Sequence, residues 1–237
     1  MRQYFVNEIL SDDAQIILGA EISHHLRDVL RCKENDKIRL VDANNNLFLA
    51  SIHLSATNVI AQVQQRLMNQ EENKEIIYCA CMIKKDKWEW LIQKAVELNA
   101  TKIVPIISNR TIIHIDEQQL EKKLARWNKI ALEAAQQSNR ISMCQVEKPI
   151  KLNEIVKYKS DINIVPYENE KNIHILELID SSSVTFVVGP EGGFEEKEIE
   201  FLKKNDFVCC SLGNNILRAE TAGLYVLAVI DAKRSNL

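Results

Sequence analysis

Three of the chain's six glycines fall within the six residues Gly189-Pro190-Glu191-Gly192-Gly193-Phe194, after the apolar run Thr185 to Val188 and before Glu195-Glu196-Lys197-Glu198. A strand that ends in glycines and restarts as a helix presents backbone that a ligand can approach with no Cβ in the way. A tight strand-to-helix turn uses the same residues. The functional rival is a phosphate loop, but that chemistry needs Lys-Ser/Thr after the last glycine and a helix N-terminus free to meet an anion. Here the helix opens with Glu195 and Glu196, whose carboxylates complement the helix dipole and repel phosphate. The residues point instead to a ligand without phosphate and with a positive centre. The sulfonium of S-adenosylmethionine is one.

A second loop follows the apolar run Val208 to Leu212. It reads Gly213-Asn214-Asn215-Ile216-Leu217-Arg218-Ala219-Glu220-Thr221-Ala222 and continues into an apolar helix, with Arg218 and Glu220 at its first turn. Taken alone, this also fits a helix cap with an exposed arginine. A guanidinium there stays charged at any relevant pH.

The elements that hold these loops follow from periodicity. Residues 37 to 67 alternate short apolar runs with turn residues and read as a small antiparallel meander. Before it, Ile22, Leu26, Val29 and Leu30 share one face of a short helix. The polar stretch 68 to 74 reads as a linker, which gives a β-rich domain over 1–72 and a second domain over 73–237. In the second, strands at 76–83, 103–107, 162–165, 184–188 and 208–212 alternate with helices at 86–98, 117–138, 195–204 and from about 218. That alternation implies an α/β domain with a parallel sheet covered by helices on both faces. Ligands bind such sheets in the loops beyond the carboxyl ends of the strands, where both glycine loops lie.

Composition narrows the setting. The 237 residues are 46% hydrophobic and 27% charged, with no apolar run long enough for a membrane span and no long apolar start of the signal-peptide kind, which places the protein in the cytoplasm. The six cysteines form no Cys-x-x-Cys pair, and Cys79, Cys81, Cys209 and Cys210 sit in apolar runs, so reduced, buried thiols and no metal are expected. The net charge of −3 argues against bulk coating of nucleic acid, although residues 84 to 140 carry eleven Lys/Arg against seven Asp/Glu.

Beyond the two loops, Lys85-Asp86-Lys87-Trp88-Glu89-Trp90-Leu91-Ile92-Gln93-Lys94-Ala95-Val96-Glu97-Leu98, Arg126-Trp127, Glu133 through Arg140, and His24 to Arg31 occur in the same order as in the RsmE branch of the SPOUT methyltransferases, which the chain resembles over nearly its whole length. The resemblance implies a PUA-like β-barrel followed by a SPOUT domain with a trefoil knot. It also implies a homodimer with S-adenosylmethionine held in the knot loops, and methylation of uridine N3 in 16S rRNA of the small ribosomal subunit. The cofactor residues it implies are Val165, Pro166, Val188, Gly189, Glu191, Gly192, Gly193, Leu212, Gly213, Ile216, Leu217 and Thr221. Three positions depart from the family pattern: Asn99 and Asn35 stand where glycine is usual, and Asn215 where arginine is. Asparagine tolerates the left-handed backbone, so the first two turns can survive.

Uracil N3 is protonated at neutral pH and must lose that proton, which calls for a base or for a cation that holds the forming anion. Arg218 is the candidate cation and Glu220 the weaker candidate base. N3 also lies on the pairing edge, so the target must be unpaired or flipped out beside a surface that holds RNA. Arg2, His24, Arg27 and Arg31 on the first domain, and Lys84, Lys85, Arg110, Arg126 and Arg140 on the second, are the candidate contacts. The last helix, apolar nearly all round, suits a homodimer interface, with Gly223 admitting a neighbouring backbone. The rival readings are a methyltransferase of another rRNA or tRNA nucleoside, and a non-catalytic RNA-binding module. An NTPase is disfavoured by the missing Lys-Ser/Thr.

Overall fold

The computed structural model describes residues 1–55, 58–68, 74–112 and 117–235. The chain divides into two compact units, Met1–Glu72 with Ala135–Ser142, and Asn73–Ala134 with Met143–Leu237. The boundary expected at residue 72, and most of the linker around it, lie outside the described residues.

The first unit contains β1 (Gln3–Phe5), β2 (Gln15–Ile17), the short helix α1 (Ala20–His24), β3 (Lys37–Val41), β4 (Leu47–Leu54) and β5 (Val59–Arg66). The antiparallel meander β3-β4-β5 is present, and two strands extend it: β1 pairs with β3 in parallel and β2 with β5 in antiparallel, giving the order β1-β3-β4-β5-β2. Leu40, Phe48, Ala50, Ile52, Val59 and Ala61 form its core with Leu26. Of the four residues expected on one helical face, only Leu26 is buried and Val29 is 60% exposed. The cause is local. Residues His25–Val29 form a π-helical turn in which the Leu30 N–H donates to the His25 carbonyl at 2.9 Å, and the wider turn swings Val29 outward. The turn at Asn35 is left-handed, with φ 67°, as asparagine allows.

The second unit runs β6 (Ile76–Cys81), α2 (Lys85–Glu97), β7 (Lys102–Ile107), α3 (Glu117–Gln137, whose last residues belong to the first unit), β8 (Gln145–Val146), β9 (Ile150–Lys151), a 3-10 helix Leu152–Tyr158, β10 (Ile162–Pro166), α4 (Ile175–Leu178), β11 (Val184–Val188), α5 (Glu196–Lys204), β12 (Val208–Cys210) and α6 (Ala219–Ser235). Every strand pair is parallel, in the order β12-β10-β11-β6-β7-β8, and β9 also pairs with β7. All residues of β6 and β11 are buried, as central strands covered on both faces must be. The short β8, β9, 3-10 and α4 segments have no counterpart in the sequence reading, being too brief to show a period.

Two contacts fix the helices around the site. Asn99, with φ 67° just past the end of α2, donates from Nδ2 to Asp231 Oδ1 of α6 at 2.7 Å, a bond that glycine could not make. Gly223 of α6 faces the buried Tyr78 side chain, and a Cβ built there would stand 1.9 Å from the phenol oxygen. The close approach that Gly223 permits is therefore to a side chain of β6 within this chain, not to a neighbouring backbone. On α6, Ala222, Val226, Leu227 and Ile230 are buried while Thr221, Tyr225, Ala228 and Ala232 are exposed, so one face of this helix is uncovered in the single chain.

Gly223→Ala should destabilise the fold by about 1–3 kcal/mol, since Tyr78 stacks on Phe186 at 4.5 Å and has no room to retreat. Urea unfolding would show a lower midpoint at unchanged slope. An unchanged midpoint would mean that the helix moves freely on the sheet.

Candidate active site

The parallel strands β10, β11 and β12 end together, and the loops that leave them enclose a cleft of about 600 Å³. Pro166 at the end of β10 is followed by Tyr167, Glu168 and Lys171 of its loop, Val188 at the end of β11 by Gly189 through Phe194, and β12 by Ser211 through Arg218, with Ala219 opening α6. Lys87 of α2 and Ala222 of α6 complete the lining. Backbone pairing ties two of these loops together, through Tyr167 N–H to Cys210 O at 3.0 Å and Ser211 N–H to Ile173 O at 2.8 Å.

Glycine is needed at particular points of this lining. Gly193 has φ 67° and Gly213 has φ 116°, conformations that side chains resist. At Gly189 a Cβ would stand 3.2 Å from the Phe194 ring, which folds back over the loop. Arg110 reaches the same loop from β7's end, donating from Nη1 to Gly192 O at 2.7 Å.

The Glu195 and Glu196 carboxylates do not line the cleft. Glu195 and Glu198 instead form a capping box at the start of α5: Glu198 Oε2 accepts from the Glu195 N–H at 2.8 Å and Oε1 from the Asn109 N–H at 2.9 Å. Glu198 thus places the chain's own carboxylate at that helix end, which disfavours a phosphate there. Ionisable groups on the cleft wall are Glu168, Glu191, Lys87, Lys171 and Arg218.

Arg218 is exposed at the mouth of the cleft, its carbonyl accepting from Ala222 N–H at 2.8 Å. Glu220 points elsewhere. Its Oε1 receives a hydrogen bond from Lys87 Nζ at 2.8 Å, and its Oε2 is sealed from solvent with no hydrogen-bond partner among the described residues. Burial opposes its charge, but the Lys87 hydrogen bond, its own backbone N–H and the charges of Lys87 and Arg218 outweigh that, so the carboxyl lies below the ordinary glutamate range.

Of the residues implied for the cofactor, Pro166, Val188, Gly189, Glu191, Gly192, Gly193, Leu212, Gly213, Ile216 and Leu217 all line the cleft. Val165 does not: it is buried in the sheet core behind it. Thr221 is on the exposed face of α6, outside the lining. Asn215, the departure from the family pattern, is an exposed part of the rim. Tyr167, Glu168, Lys171 and Lys87 are additions. The first three carry no motif, and only their place after a strand end could have marked them.

The expected RNA contacts are not equivalent. Arg2, Arg31 and Lys84 are exposed, and the side chain of Lys85 lies outside the described features. Arg140 is 8% exposed and packs within the first unit, where Gln3 Nε2 donates to its carbonyl, so it is not a surface cation. Arg126 pairs with Glu89 through both Nε and Nη2, at 2.7 and 2.8 Å. Arg27 donates to the Ser55 and Asn58 carbonyls at 2.7 and 2.9 Å, and His24 pairs with Asp28.

Comparison with known proteins agrees with this architecture. The RNA methyltransferase domain family matches residues 70–231, and the RNA methyltransferase PUA domain family matches residues 18–64. Ribosomal RNA small subunit methyltransferase E of Bacillus subtilis is 33% identical, over 97% of this chain and 96% of its own, and that of Rickettsia conorii is 30% identical, over 95% and 93%. Among solved structures, the ribosomal RNA small subunit methyltransferase E of Neisseria gonorrhoeae bound to S-adenosyl methionine superposes with a TM-score of 0.88 at 29% identity, over 98% of this chain and 97% of that one. A Legionella pneumophila methyltransferase in complex with SAM also gives 0.88, at 26% identity over 97% and 96%. The mixed N-terminal sheet is thus a PUA-like domain and the parallel sheet a methyltransferase domain, and the chain belongs to the ribosomal RNA small subunit methyltransferase E family.

Proposed function

We propose that this protein is a S-adenosylmethionine-dependent rRNA methyltransferase that modifies N3 of a specific uridine in 16S rRNA of the small ribosomal subunit. The observation that carries the reading is the cleft built by three loops at one edge of a parallel sheet. Its volume suits a ligand of that size. The glycine backbone at 189, 193 and 213 leaves space that a Cβ would fill or distort, and the mixture of carboxylates and cations on the wall fits a cofactor that carries a carboxylate, an ammonium and a sulfonium together. When bound, S-adenosylmethionine supplies an electrophilic methyl group for in-line transfer to a ring nitrogen.

The chain's own residues then have three tasks. The glycine loops and Pro166 hold the cofactor, with Glu168 and Glu191 on the wall favouring its positive centre. Arg218, exposed at the mouth, favours the uracil anion that N3 must become. Lys87 adds a second cation on the cleft wall, and Glu220 holds it there. With one oxygen bonded to Lys87 and the other sealed, Glu220 serves in this reading as a positioning residue and not as the proton acceptor.

Arg2, Arg31 and Lys84 remain as exposed cations for rRNA. A second copy of the chain covering the exposed Thr221-Tyr225-Ala228-Ala232 face of α6 completes the expected homodimer. Among the described residues, no helix is long and apolar enough to cross a membrane. A cytoplasmic setting accords with an rRNA substrate.

Incubation with labelled cofactor and undermethylated small subunits should label 16S rRNA and arrest reverse transcriptase one nucleotide before the product. Labelling of transfer RNA alone would replace the substrate. Arg218→Ala should lower kcat by about 100-fold, with the cofactor Kd, read by calorimetry, nearly unchanged. Equal losses would move Arg218 to cofactor binding.

The Lys87–Glu220 pair makes a pH-dependent prediction. A carboxyl depressed in the folded state contributes stability above its unfolded value of about 4.3 and loses it as pH falls through the folded value. The Tm deficit of Lys87→Met should therefore be larger at pH 7 than near pH 3, because protonation of Glu220 removes the buried, unpaired charge. A deficit independent of pH would show that the charge of Glu220 has no part in it.

A further inference from the structure

A second cavity, of about 510 Å³, opens on the same edge of the sheet as the cleft. It lies at the carboxyl ends of β7 and β9, beside the 3-10 helix and α5, and is lined by residues 107–109, 151–153, 197, 198 and 201. Its floor is apolar: Leu152 is buried, Phe201 packs partly against the core and Ile107 is 38% exposed. Its rim carries Lys151 and Lys197, neither of which has an ion-pair partner among the described residues, together with Asn109 and Asn153. Glu154 pairs with Lys157 Nζ through Oε1 at 2.7 Å and accepts the Lys151 backbone N–H through Oε2 at 3.2 Å, leaving the Lys151 ammonium without a direct ion pair among the described residues. Glu198, the one acid of the lining, is buried and turned to the Asn109 and Glu195 N–H groups, so the two exposed lysines outnumber it at the rim.

The cavity is structurally joined to the cleft. Asn109 lines the cavity and donates from Nδ2 to Glu195 Oε2 at 2.9 Å, and the next residue, Arg110, donates to the carbonyl of Gly192, which lines the cleft. In the sheet order, β7 is two strands from β11, a lateral offset of about 10 Å at ordinary strand spacing. The exposed Lys84 follows β6, the strand between them.

We infer that this cavity holds a nucleotide of single-stranded substrate RNA that flanks the methylated base, its base on the Ile107–Leu152–Phe201 floor and its phosphates against Lys151 and Lys197. The inference rests on the rRNA methyltransferase reading. An apolar, aromatic floor under a basic rim is the pattern that unpaired nucleic acid requires, because every base has a stackable face and every linkage an anion. The target base must itself be unpaired, so its neighbours are available in single-stranded form. The same charge pattern does not suit an acidic peptide, which would have no use for a base-sized floor.

The test uses the full-length protein and an rRNA fragment containing the target. Lys151→Gln/Lys197→Gln should raise the RNA Kd about tenfold and flatten the dependence of log K on log salt by about 1.4, the share of two phosphates on a single strand. The KM for RNA should rise with kcat at saturation retained and cofactor affinity unchanged. Phe201→Leu, which keeps the packing but removes the stacking face, should weaken RNA binding at an unchanged salt slope. If the wild type methylates rRNA and the double variant matches it in Kd, salt slope and KM, the cavity does not hold RNA and only this inference falls. If the wild type binds cofactor but methylates no rRNA, the function reading falls and takes this inference with it.

Discussion

Every pairing in the C-terminal sheet is parallel, and this single constraint places the carboxyl ends of β10, β11 and β12 side by side. Three loops that are distant in sequence then have no option but to meet. The register is enforced by burial: β6 and β11 are inaccessible along their whole length, so a one-residue slip would drive every side chain into the wrong layer. The cleft is a consequence of that rigidity. Its wall includes four glycines, whose backbone keeps its shape because the strands beneath cannot shift.

Around the sheet, the helices are located by a few contacts that admit little substitution. Tyr78 occupies the space left by the absent side chain of Gly223, and Trp88 of α2 meets Trp127 of α3 edge to face at 5.6 Å. Asn99 tolerates the left-handed backbone that ends α2 and adds a bond to Asp231. Lys87 and Glu220 join α2 to α6 beside the cleft. The site thus depends on helix–helix contacts as much as on its own loops.

Much of this was legible in the residues. The alternation of strands and helices gave the parallel sheet, and the two glycine loops do face one cleft. Element ends shifted by a residue or two: the strand expected over 208–212 stops at Cys210 so that Leu212 and Gly213 can line the cleft. What was not legible depended on distance in space. No period announces that Glu220 is bonded to a lysine 133 positions earlier, that Arg140 is buried, or that Arg126 is held by Glu89. Strand order was equally hidden, because a parallel sheet of uniformly apolar strands gives each the same signature. The π-turn at His25–Val29 shows the same limit at short range: the i, i+3, i+4 pattern is present, but the turn is wider than the pattern assumes.

The cysteines carry a practical consequence. Five of the six are buried, and burial pushes the Cys79 and Cys81 thiols far up and Cys210 to about 12, so none of these three supplies a thiolate at neutral pH. Cys32 alone is partly accessible, and it is the sole cysteine of the PUA-like unit. A maleimide fluorophore would therefore attach to the native protein at one place, in the N-terminal unit. It would turn a residue with no part in the chemistry into an optical reporter of what the N-terminal unit touches.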